Sequence, residues 1–352
     1  MNGGVPAAVL GATGLVGAEL IRLIAAHPRF ELEAAVSASQ SGTAISGSFP
    51  HLAPVVGRRL FSAPDAWLCD IPDGSRLAVF SAAPHGAAAA LIDGFLDVAA
   101  NKSLDAHVVD ASADFRFADQ AAYESIYGRH GAPARLAQFS SGLPEQIAET
   151  DASHIGNPGC FATAMLLAIV PVLGSGISTG VFSASGITGS TGSGKNPTAT
   201  THHPERHSNV FAYKALCHRH APEVAALAKA ATGRDATVNF VPHSGPFARG
   251  IHMTVFAETI ETTTADQIRQ LLLDAYHDAA FVDVVDGMPR LKDVVASNYA
   301  RIGAAVDGSH IVITVVIDNL VKGAAGGAMQ WMNRLFDLPE TTGLRAAAPA
   351  WT

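Results

Sequence analysis

The chain is poor in charged residues and has no excess of positive charge. Only 15% of its 352 residues are Asp, Glu, Lys or Arg, and the formal net charge is −8. A nucleic-acid partner is not expected, because nucleic-acid-binding domains concentrate Lys and Arg on one face. The apolar content of 48% is instead typical of a folded chain rather than a disordered one.

Long apolar runs, a leader segment and paired cysteines are also lacking. The most apolar stretch, residues 161–173, is shorter than the ~20 residues of a membrane-spanning helix and reads as a buried core helix. No basic side chain precedes Arg22, so a secretory signal is not expected. Cys69, Cys160 and Cys217 are odd in number and widely spaced, which fits thiols in a reducing compartment. We therefore expect a cytoplasmic protein with no membrane partner.

Strands and helices alternate through the first 150 residues. An apolar run at 5–10 leads into a turn, after which Val16, Leu20 and Leu23 recur at helical spacing. The same pattern predicts a helix over 86–95 and further strands at 32–37, 77–81 and 107–111. Such alternation predicts an α/β fold with a doubly wound parallel sheet.

The composition changes near residue 150. No charged side chain occurs between Asp151 and Lys195, a stretch rich in Gly, Ser and Thr, so we expect a domain boundary there. Beyond it the patterns predict an α+β domain, with helices over 223–231 and 265–280 and strands at 238–241, 250–258 and 310–317. The tail over 323–335 has helical spacing and is expected to pack on the first domain.

The glycine-rich turn at 11–17 predicts a dinucleotide site. Its spacing is G-x-x-G-x-x-G rather than the usual G-x-G-x-x-G, but it follows a strand and opens a helix. Glycines permit the tight turn, and the free amides of the helix N-terminus face a pyrophosphate. An ordinary glycine-rich strand-to-helix turn is the alternative.

The second strand indicates which dinucleotide binds. An NAD site usually has an acid about 20 residues beyond the glycines, yet residues 34–64 contain none. The hydroxyls of Ser37 and Ser39 could instead bind a 2′-phosphate, with Arg58 or Arg59 as counter-charge. The sequence thus favours NADP(H), the alternative being a merely polar loop.

Cys160 follows Asn157-Pro158-Gly159 at the predicted start of the apolar helix. Unpaired amides and the positive end of the helix dipole lower the pKa of a thiol there, which favours a nucleophilic thiolate. A buried structural cysteine is the alternative, since Cys is among the most buried residue types. Cys69 has no helix onset beside it and reads as a packing thiol.

His218 and His220 lie just before the helix predicted to begin near Pro222 and Glu223, where a general base could project into a site. They could equally be two exposed loop histidines, or cations that activate the neighbouring Cys217.

Two further patterns are incomplete. Residues 189–195 approach the phosphate-loop motif, but Asn196 lacks the required hydroxyl and no apolar helix follows. A flexible loop whose amides and Lys195 meet a substrate anion is the better interpretation. The five histidines at 202, 203, 207, 218 and 220 lack any established zinc spacing, so no metal is expected.

Six phrases occur together in one order, at residues 11–17, 110–116, 141–145, 156–160, 218–223 and 319–324. From residue 5 to about 335 the chain resembles the N-acetyl-γ-glutamyl-phosphate reductases of the semialdehyde dehydrogenase superfamily. The resemblance implies an NADP-binding Rossmann domain, residues 1–155, completed by the C-terminal helix within 320–352. It also implies a mixed-sheet catalytic and dimerisation domain, residues 156–319, in a homo-oligomer, either dimer or tetramer.

The resemblance further implies an activity and a site. The activity is NADPH-dependent reduction of an acyl phosphate to N-acetylglutamate 5-semialdehyde through a cysteine thioester, in arginine biosynthesis. Cys160 would be the nucleophile and His218 the acid/base. Around the substrate would lie Asn157, His220 and Glu223, with Arg116 near its anionic end. Asn319 would hold the nicotinamide amide, and the pyrophosphate would be lined by Gly11, Thr13, Gly14, Leu15 and Val16.

One segment departs from that family. Residues 185–195 replace its usual Ser-Gly-x-Ser-Gly-Ala-Gly-Arg, and the phrase at 202–206 is similar to reductases of aminoadipate-type lysine biosynthesis, whose substrate rides on an acidic carrier protein. The net charge of −8 weakly opposes docking of an acidic carrier, so the acetylated substrate ranks first. An N-succinyl substrate, an aspartate-semialdehyde dehydrogenase and a non-catalytic NADP-binding sensor remain as alternatives.

Overall fold

Residues 4–351 are described by the computed structural model, and they form two units. Unit 1 consists of the chain up to Ser141 together with Glu149–Asn157 and Ala325–Leu344. Unit 2 consists of Gly142–Ala148, Pro158–Ala324 and the chain from Arg345 onward. Each unit has its own sheet.

Unit 1 is built on six parallel strands. They are β1 (Val5–Leu10), β2 (Phe30–Val36), β3 (Arg76–Ser81), β4 (Asp105–Asp110), β5 (Phe139–Ser141) and β6 (His154–Gly156). Their order is β2-β1-β3-β4-β6-β5, and each neighbouring pair is parallel. The longer helices between them are α1 (Leu15–Ala25), α2 (Ala88–Asn101) and α3 (Gln120–Tyr127). The predicted doubly wound parallel sheet is confirmed.

Short turns complete the crossovers of unit 1. One-turn helices lie at Ile45–Ser48 and Ala53–Val56, and 3-10 turns lie at Pro50–Leu52, Trp67–Asp70 and Pro133–Gln138. The strands are apolar because both faces of a parallel sheet are covered, and residues 7–10 of β1 are almost fully buried.

Unit 2 has three longer helices and a seven-stranded sheet. The helices are α4 (Cys160–Ser175), α5 (His220–Thr232) and α6 (Ala265–Ala275). The strands are β7 (Ser178–Thr188), β8 (Phe211–Ala212), β9 (Thr237–Ser244), β10 (Ile251–Thr259), β11 (Val282–Val284), β12 (Ala300–Asp307) and β13 (His310–Ile317). Shorter turns lie at Ser190–Ser193, Ala199–Thr201, His203–Arg206 and Leu291–Asp293.

The sheet of unit 2 is mixed. Its order is β11-β12-β13-β10-β7-β9-β8. The pairs β7/β9 and β11/β12 are parallel and the other neighbours are antiparallel. This confirms the expected α+β architecture with a mixed sheet.

Helix α4 forms the centre of the core of unit 2. It is apolar around its whole circumference, and residues 161–169 are all buried. A helix without a polar face must be covered on every side. Helices α5 and α6 and strands β7, β10 and β13 cover it. The core helix expected over 161–173 is confirmed, and its first residue is Cys160.

Several elements differ from the sequence prediction, including three in unit 2. The helix predicted over 265–280 ends at Ala275, because the Tyr276 hydroxyl donates to the Leu167 carbonyl oxygen (2.7 Å) and a turn follows. Strand β12 carries no prediction, since its sequence, with Arg301 and Gly303, does not alternate cleanly. Helix α5 begins at His220 rather than near Pro222, as described below.

The chain leaves β13 through a π turn at Val321–Ala325 and then forms α7 (Gly326–Leu335). Within unit 1, α7 packs against α1 and β4. Asn333 of α7 and His27 are hydrogen-bonded, with 3.0 Å between Oδ1 and Nε2. Within residues 4–351, no helix combines the length and the apolar character that crossing a membrane requires.

Candidate active site

The glycine turn of unit 1 lies at the carboxyl end of β1. Gly14 is the N-cap of α1 in extended conformation, with no side-chain cap, and the first helical bond runs from the Ala18 N–H to the Gly14 carbonyl. The N–H groups of the first turn lie before that bond and therefore have no acceptor within the helix. The sequence-predicted residues Gly11, Thr13, Gly14, Leu15 and Val16 are all partly exposed, whereas Ala12 between them is buried.

The three glycines of this turn have different surroundings. Gly11 has a φ of +70°, and a Cβ there would lie 2.6 Å from the Ala83 backbone. A Cβ on Gly17 would lie 2.6 Å from the Ala12 carbonyl oxygen, whereas one on Gly14 meets nothing within 4 Å. The first and third glycines are therefore required by the protein's own packing. The space over Gly14 fits a pyrophosphate at the amides of the helix N-terminus.

Ser37 and Ser39 follow the end of β2. Ser37 is buried and its Oγ accepts the Gln40 N–H (3.2 Å), and the exposed Ser39 has its Oγ 3.5 Å from that of Ser37. The guanidinium of Arg59 donates to the Leu32 carbonyl, in the first half of β2. Arg59 is thus held away from the two serines, and Arg58 is exposed.

The cysteine turn of unit 2 is also capped by a glycine. Gly159 is the extended N-cap of α4 without a side-chain cap, and Cys160 is partly exposed. The Gly159 N–H donates to Oε1 of Glu223 at 2.7 Å, and Glu223 is fully buried. Glu223 of α5 therefore lies at the N-terminus of the helix that Cys160 begins. None of the chain's three cysteines is disulfide-bonded.

His218 and His220 are buried, so the alternative of exposed loop histidines is wrong. His220 is the first residue of α5, because its N–H donates to Nδ1 of His218 (3.3 Å) and Arg219 already has helical dihedral angles. The two imidazole centroids lie 4.8 Å apart. Nε2 of His220 lies 3.9 Å from Oε2 of Glu223.

Aromatic rings surround His218. Its centroid lies 5.4 Å from that of Phe240, 5.7 Å from that of Tyr213 and 5.8 Å from that of Phe161. Burial lowers the pKa of His218 to about 4, assisted by the positive charges of Arg219 and Lys214. The imidazole is therefore neutral near pH 7. An Nδ1 that accepts a hydrogen bond leaves the proton on Nε2.

Tyr213 is a site residue that the sequence reasoning missed. Burial, followed by the nearby Cys160, raises the pKa of its phenol to about 12. Tyr213 therefore carries its proton near pH 7, and its ring contacts that of His218. Its only sequence signal was its position five residues before His218, which by itself specifies no contact.

Arg116 and Asn157 lie together in unit 1. Nε of Arg116 donates to the Asn157 carbonyl and Nη2 to that of Ala111, both at 2.8 Å. The Asn157 N–H donates to the Asp110 carbonyl (2.8 Å). Both side chains are buried, and these guanidinium bonds go to main-chain oxygens.

Asn319 of unit 2 is held by both ends of its amide. Oδ1 accepts the Gly250 N–H (2.7 Å), and Nδ2 donates to Oγ1 of Thr191 (3.0 Å). Thr191 belongs to the segment 189–195, which forms a 3-10 turn pinned to Ala248 through the Thr191 N–H (3.1 Å) and Oγ1 (2.7 Å). The segment is thus anchored at Thr191, while Lys195 at its end is exposed.

Two of the segments that carry the family resemblance, residues 141–145 and 319–324, contact each other inside unit 2. Lys322 and Glu145 form an ion pair in which each side chain is about 1% exposed. The histidines at 202, 203 and 207 are exposed. Across the described part of the chain, no three His, Cys, Asp or Glu side chains are grouped so that they could hold a metal ion.

Both domain models that match describe semialdehyde dehydrogenases. Residues 6–145 match the "Semialdehyde dehydrogenase, NAD binding domain" and residues 160–319 the "Semialdehyde dehydrogenase, dimerisation domain". The chain is 36% identical to an N-acetyl-gamma-glutamyl-phosphate reductase of Brevibacillus brevis, with 96% of each chain covered. It is 38% identical to that of Symbiobacterium thermophilum, covering 97% of this chain and 98% of the relative. The chain belongs to the N-acetyl-gamma-glutamyl-phosphate reductase family, which confirms the resemblance.

Solved structures show the same fold at low identity. Aspartate semialdehyde dehydrogenase II of Vibrio cholerae superposes with a TM-score of 0.68 at 16% identity, covering 95% of this chain and 98% of that one. The enzyme of Candida albicans, solved with NADP, gives 0.68 at 15% identity with the same coverage.

Proposed function

We propose that this chain reduces N-acetyl-γ-glutamyl phosphate to N-acetylglutamate 5-semialdehyde with NADPH, in arginine biosynthesis. The observation that carries the proposal is the cluster of unit 2, where a partly exposed Cys160 begins a buried helix beside Glu223, His220, His218 and Tyr213. A non-catalytic NADP sensor would need none of these five groups.

In this mechanism the Cys160 thiolate attacks the acyl carbonyl. A carbon–sulfur bond forms, the carbon–oxygen bond to phosphate breaks, and phosphate leaves. Bound NADPH supplies the hydride that reduces the resulting thioester. The hemithioacetal then collapses to the aldehyde, which returns the electron pair to sulfur.

His218 and His220 divide the proton work. His218 is neutral and carries its proton on Nε2, so it donates a hydrogen bond to the oxyanion that forms on the acyl carbon. Collapse of the hemithioacetal oxyanion needs no proton, so His220, whose Nε2 lies 3.9 Å from Oε2 of Glu223, would supply the proton that the leaving phosphate takes up. His218, the acid/base expected from the sequence, would thus act as the hydrogen-bond donor to the oxyanion.

The proposed cofactor is NADP(H), bound by the turn at Gly11, Thr13, Gly14, Leu15 and Val16. The open space over Gly14 and the unpaired first-turn amides fit a pyrophosphate. Ser37 and Ser39 would meet the 2′-phosphate, because no carboxylate follows β2 to hold a 2′-hydroxyl. Asn319 would hold the nicotinamide amide with the one Nδ2 hydrogen that Thr191 does not accept.

Substrate contacts are proposed for His220, Glu223, Asn157 and Arg116. Arg116 is the weakest of the four, because two of its donors are already used by carbonyl oxygens. Arg206, from the segment similar to lysine-pathway reductases, donates to the Ser244 hydroxyl and the Gly245 carbonyl. That arrangement gives no reason to place an acidic carrier ahead of the acetylated substrate.

We also propose a homo-oligomer that forms through the open face of the sheet of unit 2. Along β10 the side chains alternate between buried and partly or fully exposed, and helices cover only the buried set. Val181 and Phe256 on the open face are 47% and 50% exposed. The name of the matching dimerisation domain fits this face. Light scattering on the purified protein measures the mass, and a monomer at micromolar concentration refutes the proposal.

The function is tested in the reverse direction with NADP⁺ and phosphate. We expect kcat/KM to rank N-acetylglutamate semialdehyde first, ahead of its N-succinyl analogue, carrier-bound aminoadipate semialdehyde and aspartate semialdehyde. NAD⁺ should be a poorer cofactor than NADP⁺. Cys160→Ser should abolish phosphate-dependent NADP⁺ reduction while retaining NADP⁺ binding, with Cys69→Ser as the matched control. A Cys160→Ser variant with near-normal turnover would falsify the thioester route.

A further inference from the structure

The π turn that follows β13 touches the residue of the nucleophile. Gly323 lies at the middle of this turn, and a Cβ built on it would be 2.7 Å from Cβ of Cys160 and 3.0 Å from its Cα. Real Cβ atoms essentially never approach closer than 3.0 Å, and ordinary contact begins near 3.4 Å. The main chain at Gly323 is therefore packed directly against Cys160.

Space, and not backbone conformation, requires glycine at this position. The φ of Gly323 lies outside the left-handed region, so an alanine could adopt the same backbone. The nearest atom after those of Cys160 is the Asp318 carbonyl oxygen at 3.4 Å. An alanine at 323 would thus press mainly on Cys160. Single-turn π segments in α-helices are frequent at functional sites, and this one leads directly into α7.

The turn cannot move away from Cys160, because Asp318 anchors it. This carboxylate is fully buried and accepts the N–H groups of Leu320 (2.8 Å) and Val321 (2.9 Å), while Arg249 bonds it through Nε (2.9 Å). The Gly323 N–H itself donates to the Asp318 carbonyl (3.0 Å).

A second anchor follows directly, since Lys322 is paired with Glu145 in the interior. On the opposite side, Cys160 is the first residue of the fully packed helix α4, and the preceding Gly159 N–H is bound to Glu223. Neither the π turn nor the start of α4 can move apart from the other without breaking buried polar bonds.

We propose that Gly323 is a positioning residue that fixes Cβ of Cys160, and with it the direction of the thiol. This inference rests on the proposed role of Cys160 as the nucleophile. The bonds to Asp318 hold the main chain of the π turn against Cys160. Because Gly323 has no side chain, this main chain comes close enough to restrict the thiol of Cys160 to one orientation. A misplacement of about 1 Å at a reacting group costs about 10²-fold in rate.

The test is Gly323→Ala, with Gly94→Ala as matched control because a Cβ on Gly94, inside α2, meets nothing within 4 Å. We expect kcat of Gly323→Ala to fall about 10–100-fold with KM for NADP⁺ unchanged. Its Cys160 should also be alkylated by iodoacetamide with an altered rate and pH midpoint. The exposed thiols of Cys69 and Cys217, resolved by mass spectrometry, serve as internal references and should not change. Gly94→Ala should behave as the parent protein.

A double-mutant cycle separates positioning from general destabilisation. Gly323→Ala should lower Tm by about 3–8 °C in the parent chain. The loss should be much smaller in the Cys160→Gly background, where the opposing Cβ is absent. Equal losses in both backgrounds, or a parent-like kcat and alkylation profile, would overturn the inference. Neither the alkylation profile nor the cycle needs turnover, so these readouts remain valid even if Cys160→Ser proves active and the proposed function fails.

Discussion

The two units each contain a helix that begins at a glycine N-cap without a capping side chain, and these two helix starts have different surroundings. In unit 1, Gly14 precedes α1, and nothing lies within 4 Å of the position its Cβ would take. In unit 2, Gly159 precedes α4, and its N–H is bound by the fully buried carboxylate of Glu223. One helix start is open, whereas the other is occupied by a buried carboxylate of the chain itself.

This difference changes what the helix dipole can do for Cys160. Unpaired amides and the positive end of the dipole at the start of α4 favour a thiolate at Cys160 when the helix is considered alone. A buried carboxylate at the same end competes with the thiolate for that field. Activation of the thiol therefore depends on the surrounding side chains, namely Tyr213, His218 and His220, as well as on the helix.

The largest expected effect concerns two glycines of the turn at residues 11–17 of unit 1. Gly17→Ala should destabilise the protein by about 3 kcal/mol, because its Cβ would meet the immovable backbone of Ala12. Gly14→Ala should leave Tm almost unchanged, yet it should weaken NADP⁺ binding about 10²-fold by filling the space of the pyrophosphate. Thermal unfolding measures the stability of the two variants, and a fluorescence titration measures their affinity for NADP⁺. Tight cofactor binding by Gly14→Ala would mean that this helix start is not the ligand site.

The second prediction concerns the pH dependence of stability that arises from one buried histidine in each unit. Burial lowers the pKa of His154 in unit 1 and of His218 in unit 2, each to about 4. The unfolded chain then binds protons first as the pH falls from about 6.5 to 4, so each histidine should remove about 2–3 kcal/mol of stability over that window.

His154→Gln and His218→Asn should each flatten the dependence of unfolding free energy on pH between 6.5 and 4, measured by urea titration. Only His218→Asn should also lower turnover, by about 10²–10⁴-fold. Equal turnover in the two variants would place the catalytic imidazole at His220 instead.

The smallest expected effect concerns Glu223, whose carboxylate lies at the N-terminus of α4. In Glu223→Gln the side chain keeps an oxygen for the Gly159 N–H but loses its charge. The pH midpoint for alkylation of Cys160 should fall by about one unit, since one nearby negative charge no longer opposes the thiolate. Asp266→Asn, an exposed acid in the first turn of α6, is the matched control. An unchanged midpoint would show that Glu223 does not oppose the thiolate.

Periodicity predicted the strands and helices whose burial is regular. Strands β1 to β4 and the core helix α4 lie close to their predicted positions because apolar runs and helical spacing reflect burial directly. The prediction failed where a distant contact sets the boundary. Helix α6 ends one residue before Tyr276, whose hydroxyl donates to the distant Leu167 carbonyl. Helix α5 starts early for a local reason, the bond from the His220 N–H to Nδ1 of His218.

The candidate site was only partly accessible from the sequence. His218, His220 and Glu223 could be named from one short phrase, and the structure brings them together in unit 2. Arg59 offered itself as a counter-charge beside Ser37, but it bonds the Leu32 carbonyl instead. A charged side chain signals only that a partner exists, and the partner is chosen by which backbone oxygen the folded chain leaves within reach.

The order of residues along the chain determined by itself that a glycine turn follows a strand-like segment, that a cysteine follows a turn, and that each opens a helix, because these are local properties of backbone and spacing. Only the tertiary structure decided which groups surround them: Glu223 on the Gly159 amide, 64 positions away, and Gly323 against Cys160. Such contacts arise when α5 and the π turn pack around α4. Packing is a property of whole surfaces, and no short stretch of sequence contains it.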